Sequence, residues 1–271
     1  MPASGFTMRY AVTPRLLTAP SHRRSGQPVS PGVKFVVAHD TGNPSSTASG
    51  NVAYYERSRD EVSASAHLFV DDREIVECIP ALTQAPEKAW HVLYGVPTDD
   101  RLFGYDANDA AIGVEYCYGG AIDADEAYRR YVWVLAYVCH RFDLDPATSV
   151  VGHFFLDPTR KTDPVTGLAR SRRTYEGLLR DVVAEYAACT GSGVVPVAGP
   201  YVAGTGNAVV AARLNVRRGA PSTRAAVVQV VAPGTVLAFD GWVTGGESVN
   251  GNSKWYRDAN GNFFWSGGVR A

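Results

Sequence analysis

The sequence predicts two folded units: an α/β unit over residues 1–188 and a small all-β unit over residues 207–271. Three observations carry this reading. Strand-length apolar runs alternate with helix-period segments through residue 188. An uncharged, Gly- and Pro-rich stretch then breaks the pattern over 189–206 and reads as a linker. Beyond it, short β-type runs alternate with turns. The chain has 271 residues, 45% of them hydrophobic and 20% charged. That supplies a packed core for one good-sized domain and a small one.

The elements follow in order. "KFVVAH" reads as a strand ending in His39. "SAHLFVDDREIVEC" reads as a hairpin with "DDRE" at its turn, and "AIGVEYC" as a strand around Glu115. "DADEAYRRYVWVLAYVCHRF" opens with Asp123 and Glu126, which can cap free amides at a helix start. Tyr128, Tyr131, Val132, Leu135, Cys139 and Phe142 then recur at helical spacing and predict one apolar face, leaving His140 solvated. "SVVGH" is a strand ending in His153. "RRTYEGLLRDVVAEYAA" repeats the helical pattern with Leu178, Leu179, Val182 and Tyr186. In the last unit, "ANGN" predicts a tight hairpin turn between two aromatic-rich strands.

Several function classes recede. A net charge of −1 gives no broad electrostatic grip on nucleic acid or an anionic membrane. No apolar run approaches a transmembrane length, so membrane insertion is not expected. The first residues lack the apolar stretch of a signal peptide, which predicts synthesis in the cytoplasm. Cys78, Cys117, Cys139 and Cys189 form no CxxC pair and read as buried thiols.

Three apolar runs end in, or carry near their ends, side chains that bind metals or move protons: His39, Glu115 and His153. Ligand sites in open α/β sheets form at the carboxyl ends of strands. A metal gives the simplest account. Two neutral imidazoles and a carboxylate suit zinc, with one position left for water. His39, His153 and Asp163 supply the three donors, Pro164 biasing Asp163 toward an extended backbone. Glu115 is then the base, and Lys161 faces charge developing on a substrate oxygen. No short zinc motif such as HExxH is present, so from spacing alone a structural role for each histidine stays open.

"FVVAHDTGNP", "SASAHLFVDD", "KAWHV", "AIGVEYCYGG" and "VVGHFFLDPTRKTDP" occur in the order found in the zinc-dependent N-acetylmuramoyl-L-alanine amidases of the type-2 amidase family, which share a fold with peptidoglycan-recognition proteins. The resemblance covers roughly residues 8 to 187. It implies a mixed central β-sheet flanked by helices, with zinc in a surface groove. It places the metal ligands at His39, His153 and Asp163, the family's acidic residue at Glu115 and its lysine at Lys161. His67 and His91 match family motif positions and are expected to line the groove, with hydrogen bonding in the core beneath it as the alternative. Trp90 is either core or a platform for sugar. The basic run "RKTDPVTGLARSRR" is a solvated loop or a contact for acidic wall stems. "TDPVTG" replaces the family's commoner "DPG", so the groove rim is expected to differ there.

The implied substrate and partner is peptidoglycan, cut between N-acetylmuramic acid and L-alanine, with Zn2+ as cofactor and a monomer as the default state. Recognition relatives that bind the wall without cutting it typically lack a metal ligand. This chain keeps all three, which favours an enzyme over a non-catalytic receptor. The setting fits an endolysin released through a holin, an antibacterial effector delivered by an injection apparatus, or a recycling enzyme. The last 65 or so residues, with "LNVRRGAPS" and "KWYRDANGNFFWSGG", resemble a bacterial SH3 domain, a small all-β barrel that usually binds the wall. Trp242, Trp255, Tyr256 and Trp265 serve either its ligand or its core.

Overall fold

The computed structural model describes residues 5–190, 201–223, 225 and 227–270. The chain divides into two compact units, Met1–Cys189 and Thr190–Ala271.

The first unit is built on six strands: β1 (Val12–Pro14), β2 (Phe35–Asp40), β3 (Leu68–Val70), β4 (Ile75–Glu77), β5 (Ala111–Tyr116) and β6 (Val150–Gly152), in the order β1-β4-β3-β5-β2-β6. β3 and β4 form an antiparallel hairpin, while the pairs β1/β4, β3/β5, β2/β5 and β2/β6 are parallel. The sheet is therefore mixed. Every residue of β2 is buried, as expected of a central parallel strand covered on both faces.

The helices are α1 (Ala48–Arg57), α2 (Pro97–Phe103), α3 (Ala107–Ala110), α4 (Ala124–Arg141), α5 (His153–Leu156), α6 (Val165–Arg170) and α7 (Tyr175–Thr190). Strand alternation sends Val36 and Ala38 of β2, with Ile112, Val114 and Tyr116 of β5, into a core shared with α4 and α7. On the opposite face, Phe69 and Val76 pack with Ala48 and Val52 of α1, and Phe35 and Val37 pack with Ala107, Ala110 and Leu156. Alternation puts His39 and Glu115 on that second face. Among the described residues no helix is long and apolar enough to cross a membrane.

α4 starts where Asp123 accepts from the backbone N–H groups of Asp125 and Glu126. It buries more than the single stripe its spacing suggests: Trp133, Val134 and Val138 are also buried. For Trp133 the reason is the N-terminal arm. Phe6 and Tyr10 pack on Trp133 at 6.0 and 5.5 Å, and the Trp133 indole N–H donates to the Thr7 carbonyl at 3.2 Å. The same arm corrects the solvated reading of His140, whose ring stacks on Phe6 at 4.8 Å. All four cysteines are free and buried.

The second unit holds β7 (Val202–Val210), β8 (Leu214–Arg217), β9 (Val227–Val231), β10 (Val236–Val243), β11 (Trp255–Arg257), β12 (Phe263–Trp265) and β13 (Val269–Arg270). They form one antiparallel sheet in the order β13-β7-β10-β11-β12-β8-β9. The β11–β12 turn is fixed by Asp258, whose carboxylate accepts from the backbone N–H groups of Asn260 and Asn262. Trp255, Tyr256 and Phe264 belong to the core, while Trp242 and Trp265 are half-buried.

The 189–206 linker boundaries shift. α7 runs through Thr190, and β7 begins at Val202; residues 191–200 of that stretch lie outside the described residues. β7 looks like linker because it is glycine-rich. Its glycines are there for packing: a Cβ on Gly204 would sit 2.6 Å from the Trp242 ring, and one on Gly206 would sit 2.5 Å from the Phe239 ring.

Candidate metal centre

Three adjacent parallel strands deliver the chemistry to one level. His39 of β2 lies in register with Glu115 of β5. On the other side Ala38 pairs with Gly152 of β6, so the next residue along, His153, follows beside His39. All three sit at carboxyl ends of strands, where such sheets place ligand sites.

Asp163 closes the group from the loop after α5. Its Oδ2 lies 2.9 Å from His39 Nδ1 and 3.1 Å from His153 Nδ1. The two imidazoles meet edge-on with centroids 4.6 Å apart, and the three donor atoms lie within 4.8 Å of one another. Burial lowers the His39 pKa to about 4, against the opposing pull of the Asp163 carboxylate, so the imidazole is neutral near pH 7. Burial resists ionisation of Asp163, but hydrogen bonds from His153 and His39 outweigh it and hold the carboxyl well below the usual range. Two nitrogens and one carboxylate oxygen converging from neutral rings and an ionised acid fit a divalent ion such as zinc.

Backbone bonds hold the Asp163 loop in place. The Phe154 N–H donates to the Asp163 carbonyl at 2.9 Å. Asp40, next to His39, accepts from the N–H of Gly42 at 2.9 Å and of Gly167 at 2.7 Å, tying α6 to the end of β2. Only glycine permits that approach, since a Cβ on Gly167 would lie 2.8 Å from the Asp40 Cβ. Tyr131 of α4 donates to the His39 carbonyl at 2.9 Å. The sequence reading missed Asp40, although its place beside His39 in "HDTG" is a signal that could have found it.

Glu115 and Lys161 flank the donors. Glu115 Oε2 is buried without a hydrogen-bond partner. Burial, then the charges of Asp163 and Asp40, hold its carboxyl well above the usual range, with Lys161 opposing them. Lys161 is half-buried and, among the described residues, makes no ion pair. Its charge also acts on His39.

The two other histidines are buried, as in the alternative of hydrogen bonding in the core. His67 is 0% exposed. Its Nδ1 accepts from the Gly113 N–H at 3.0 Å, and its Nε2 lies 2.8 Å from the Glu87 carbonyl. A backbone amide can only donate, so the His67 proton resides on Nε2. Both nitrogens are spent on backbone. His91 is also buried, with Nδ1 3.1 Å from His39 Nε2. Trp90 is half-buried beside Tyr94, ring to ring at 5.9 Å, and Tyr94 and Leu93 next to it are exposed.

Comparison with known proteins shows likeness in fold and in sequence. The catalytic domain of XlyA superimposes with a TM-score of 0.51 at 20% identity, covering 64% of this chain and 99% of that one. The Staphylococcus aureus hydrolase AmiA, solved in complex with its ligand, gives 0.52 at 21% identity over 68% of this chain and 87% of that one. At these identities the likeness is one of fold. In sequence, the N-acetylmuramoyl-L-alanine amidase BlyA of Bacillus subtilis (strain 168) is 32% identical over 149 residues, 52% of this chain. The match spans 39% of BlyA's own length. The pattern of the family described as N-acetylmuramoyl-L-alanine amidase matches residues 28–166, a span that runs from before β2 past Asp163 and takes in every donor described above; the chain belongs to the N-acetylmuramoyl-L-alanine amidase family.

Proposed function

We propose that the first unit is a zinc-dependent amidase that hydrolyses the bond between the lactyl group of N-acetylmuramic acid and the L-alanine of the peptidoglycan stem. The observation that carries this is the meeting of His39 Nδ1 and His153 Nδ1 on one oxygen of Asp163, at the ends of adjacent strands. In this reading those three residues hold zinc. Bound there, zinc supplies Lewis acidity, polarising the scissile carbonyl and lowering the pKa of a water toward about 7.

The chain's own groups do the rest. Glu115 takes one proton from the attacking water and returns it to the departing alanine nitrogen. The C–O bond forms, the C–N bond breaks, and Glu115 ends as it began. Its raised proton affinity suits a base that must hold the proton between the two transfers. Lys161, free of ion pairs among the described residues, turns its ammonium toward the carbonyl oxygen as negative charge grows there. Trp90 remains as a rim contact for sugar or peptide.

The second unit is, in this reading, an SH3-like wall-binding module, with the half-buried Trp242 and Trp265 as contacts. Its antiparallel sheet and the "LNVRRGAPS" resemblance support that assignment. Action at the cell wall follows from the substrate.

Mass spectrometry of digested peptidoglycan tests the reaction. The expected products are stem peptides with a new L-alanine amine and intact glycan strands. New reducing sugar ends, or cuts between stem amino acids, would overturn it.

A further inference from the structure

His91 offers no atom to the donor group, yet it meets His39 from behind. Its Nδ1 lies 3.1 Å from His39 Nε2, the nitrogen across the ring from the one facing Asp163. The two rings are nearly perpendicular, at 87°, with centroids 5.2 Å apart.

The surroundings fix this ring. The backbone N–H groups of His91 and Val92 both donate to Asn108 Oδ1, at 2.9 and 3.0 Å, and Asn108 Nδ2 donates back to the Val92 carbonyl at 2.7 Å. Asn108 is 1% exposed and sits in α3, which Asp106 caps. Against β5 the ring fits because position 113 is glycine: a Cβ there would be 2.8 Å from the His91 Cγ. The His67 ring, held by two backbone groups, stands 5.5 Å away.

Proton counting gives this contact a role. A neutral imidazole carries one N–H. If His39 offers its Nδ1 lone pair to a cation, its proton must sit on Nε2. That N–H then needs an acceptor in a buried place, and among the described residues His91 Nδ1 is the atom in reach. His91 must in turn carry its own proton on Nε2, a nitrogen with no hydrogen-bond partner of its own.

We propose that His91 is the positioning residue that makes His39 an Nδ1 donor: it accepts the Nε2–H, fixes the tautomer and ring plane, and so sets the site's affinity for zinc. The proposal rests on the zinc reading above. Partners of this kind, on the far nitrogen of a metal-binding imidazole, are typically worth about 10–100-fold in metal affinity.

The test is a zinc titration of the full chain against a chromogenic chelator, for wild type, His91→Leu and His91→Asn, with melting temperatures of the metal-free proteins measured alongside. Leucine fills the space without an acceptor, whereas asparagine keeps an oxygen near the Nδ1 position. His91→Leu should bind zinc about 10–100-fold more weakly, and His91→Asn should recover most of the loss. Wild-type affinity in His91→Leu, or equal weakening in both variants that tracks their loss of melting temperature, would overturn the proposal. A second readout needs no variant. Nitrogen-15 spectra of zinc-loaded wild type should place the His39 and His91 protons on Nε2 in both rings, and a proton on His91 Nδ1 would overturn it. A wild type that binds no zinc would defeat the zinc reading itself, whereas zinc-binding wild type with an unaffected His91→Leu would defeat this inference alone.

Discussion

His39 and Glu115 stand directly opposite each other in register on β2 and β5, on the same sheet face. A neutral imidazole aimed at Asp163 and a carboxyl with no hydrogen bond on Oε2 are thus fixed side by side by two buried strands. An enzyme site can use that arrangement. A buried carboxyl oxygen without a hydrogen-bond partner is costly to ionise.

The first prediction concerns that cost. Burial, with Asp163 and Asp40, raises the Glu115 pKa well above its ordinary 4.5. The folded state therefore holds this proton more tightly than the unfolded chain does. The associated stability is complete below about pH 4.5 and is lost as pH rises toward the folded-state value. Glu115→Gln cannot lose that proton. Chelator-treated Glu115→Gln should melt above wild type at pH 7, and the gap should close near pH 4. An equal or lower melting temperature at pH 7 would contradict the raised pKa.

The second prediction separates chemistry from metal binding. Glu115→Gln should keep its zinc while turnover falls by about 10²-fold or more. Lys161→Ala should act on kcat with little change in KM, costing roughly 2.7–4 kcal/mol if it removes an oxyanion donor. Steady-state kinetics on a soluble muropeptide checks both. Near-normal turnover in either variant would remove that residue from its role.

The elements that frame the site were legible because burial writes them plainly. β2 reads as an unbroken apolar run because both its faces are covered, and its final histidine stands out for that reason. His153 follows β6 in the same way. Asp163 was legible through the family motif more than through spacing, since ten residues of loop separate it from His153. His67 and His91 were harder. A buried histidine and a groove histidine look alike in sequence, and the difference lies in partners such as the Gly113 N–H and the Glu87 carbonyl. The full burial of Trp133 depended on the arm of Phe6 and Tyr10, which lies far away in sequence. β7 was hidden because its glycines make room for aromatic rings on β10, a strand much later in the chain.

The third prediction concerns the division of labour. Each unit has its own core, and every proposed metal or proton-transfer residue lies in the first. A chain ending at Thr190 should hydrolyse a soluble muropeptide at close to the full-length rate but bind intact sacculi more weakly, because tethering raises local substrate concentration without changing the transition state. Co-sedimentation with sacculi and soluble-substrate kinetics check the two halves. Loss of soluble turnover on truncation would make the second unit part of the active site.

The fourth prediction is that His39, His153 and Asp163, whose donor atoms converge, hold one zinc ion. Elemental analysis of the purified wild type and of His153→Ala tests it most directly. One zinc per wild-type chain is expected, with most of it lost in His153→Ala while the variant stays folded by circular dichroism. Stoichiometric zinc in folded His153→Ala would contradict it.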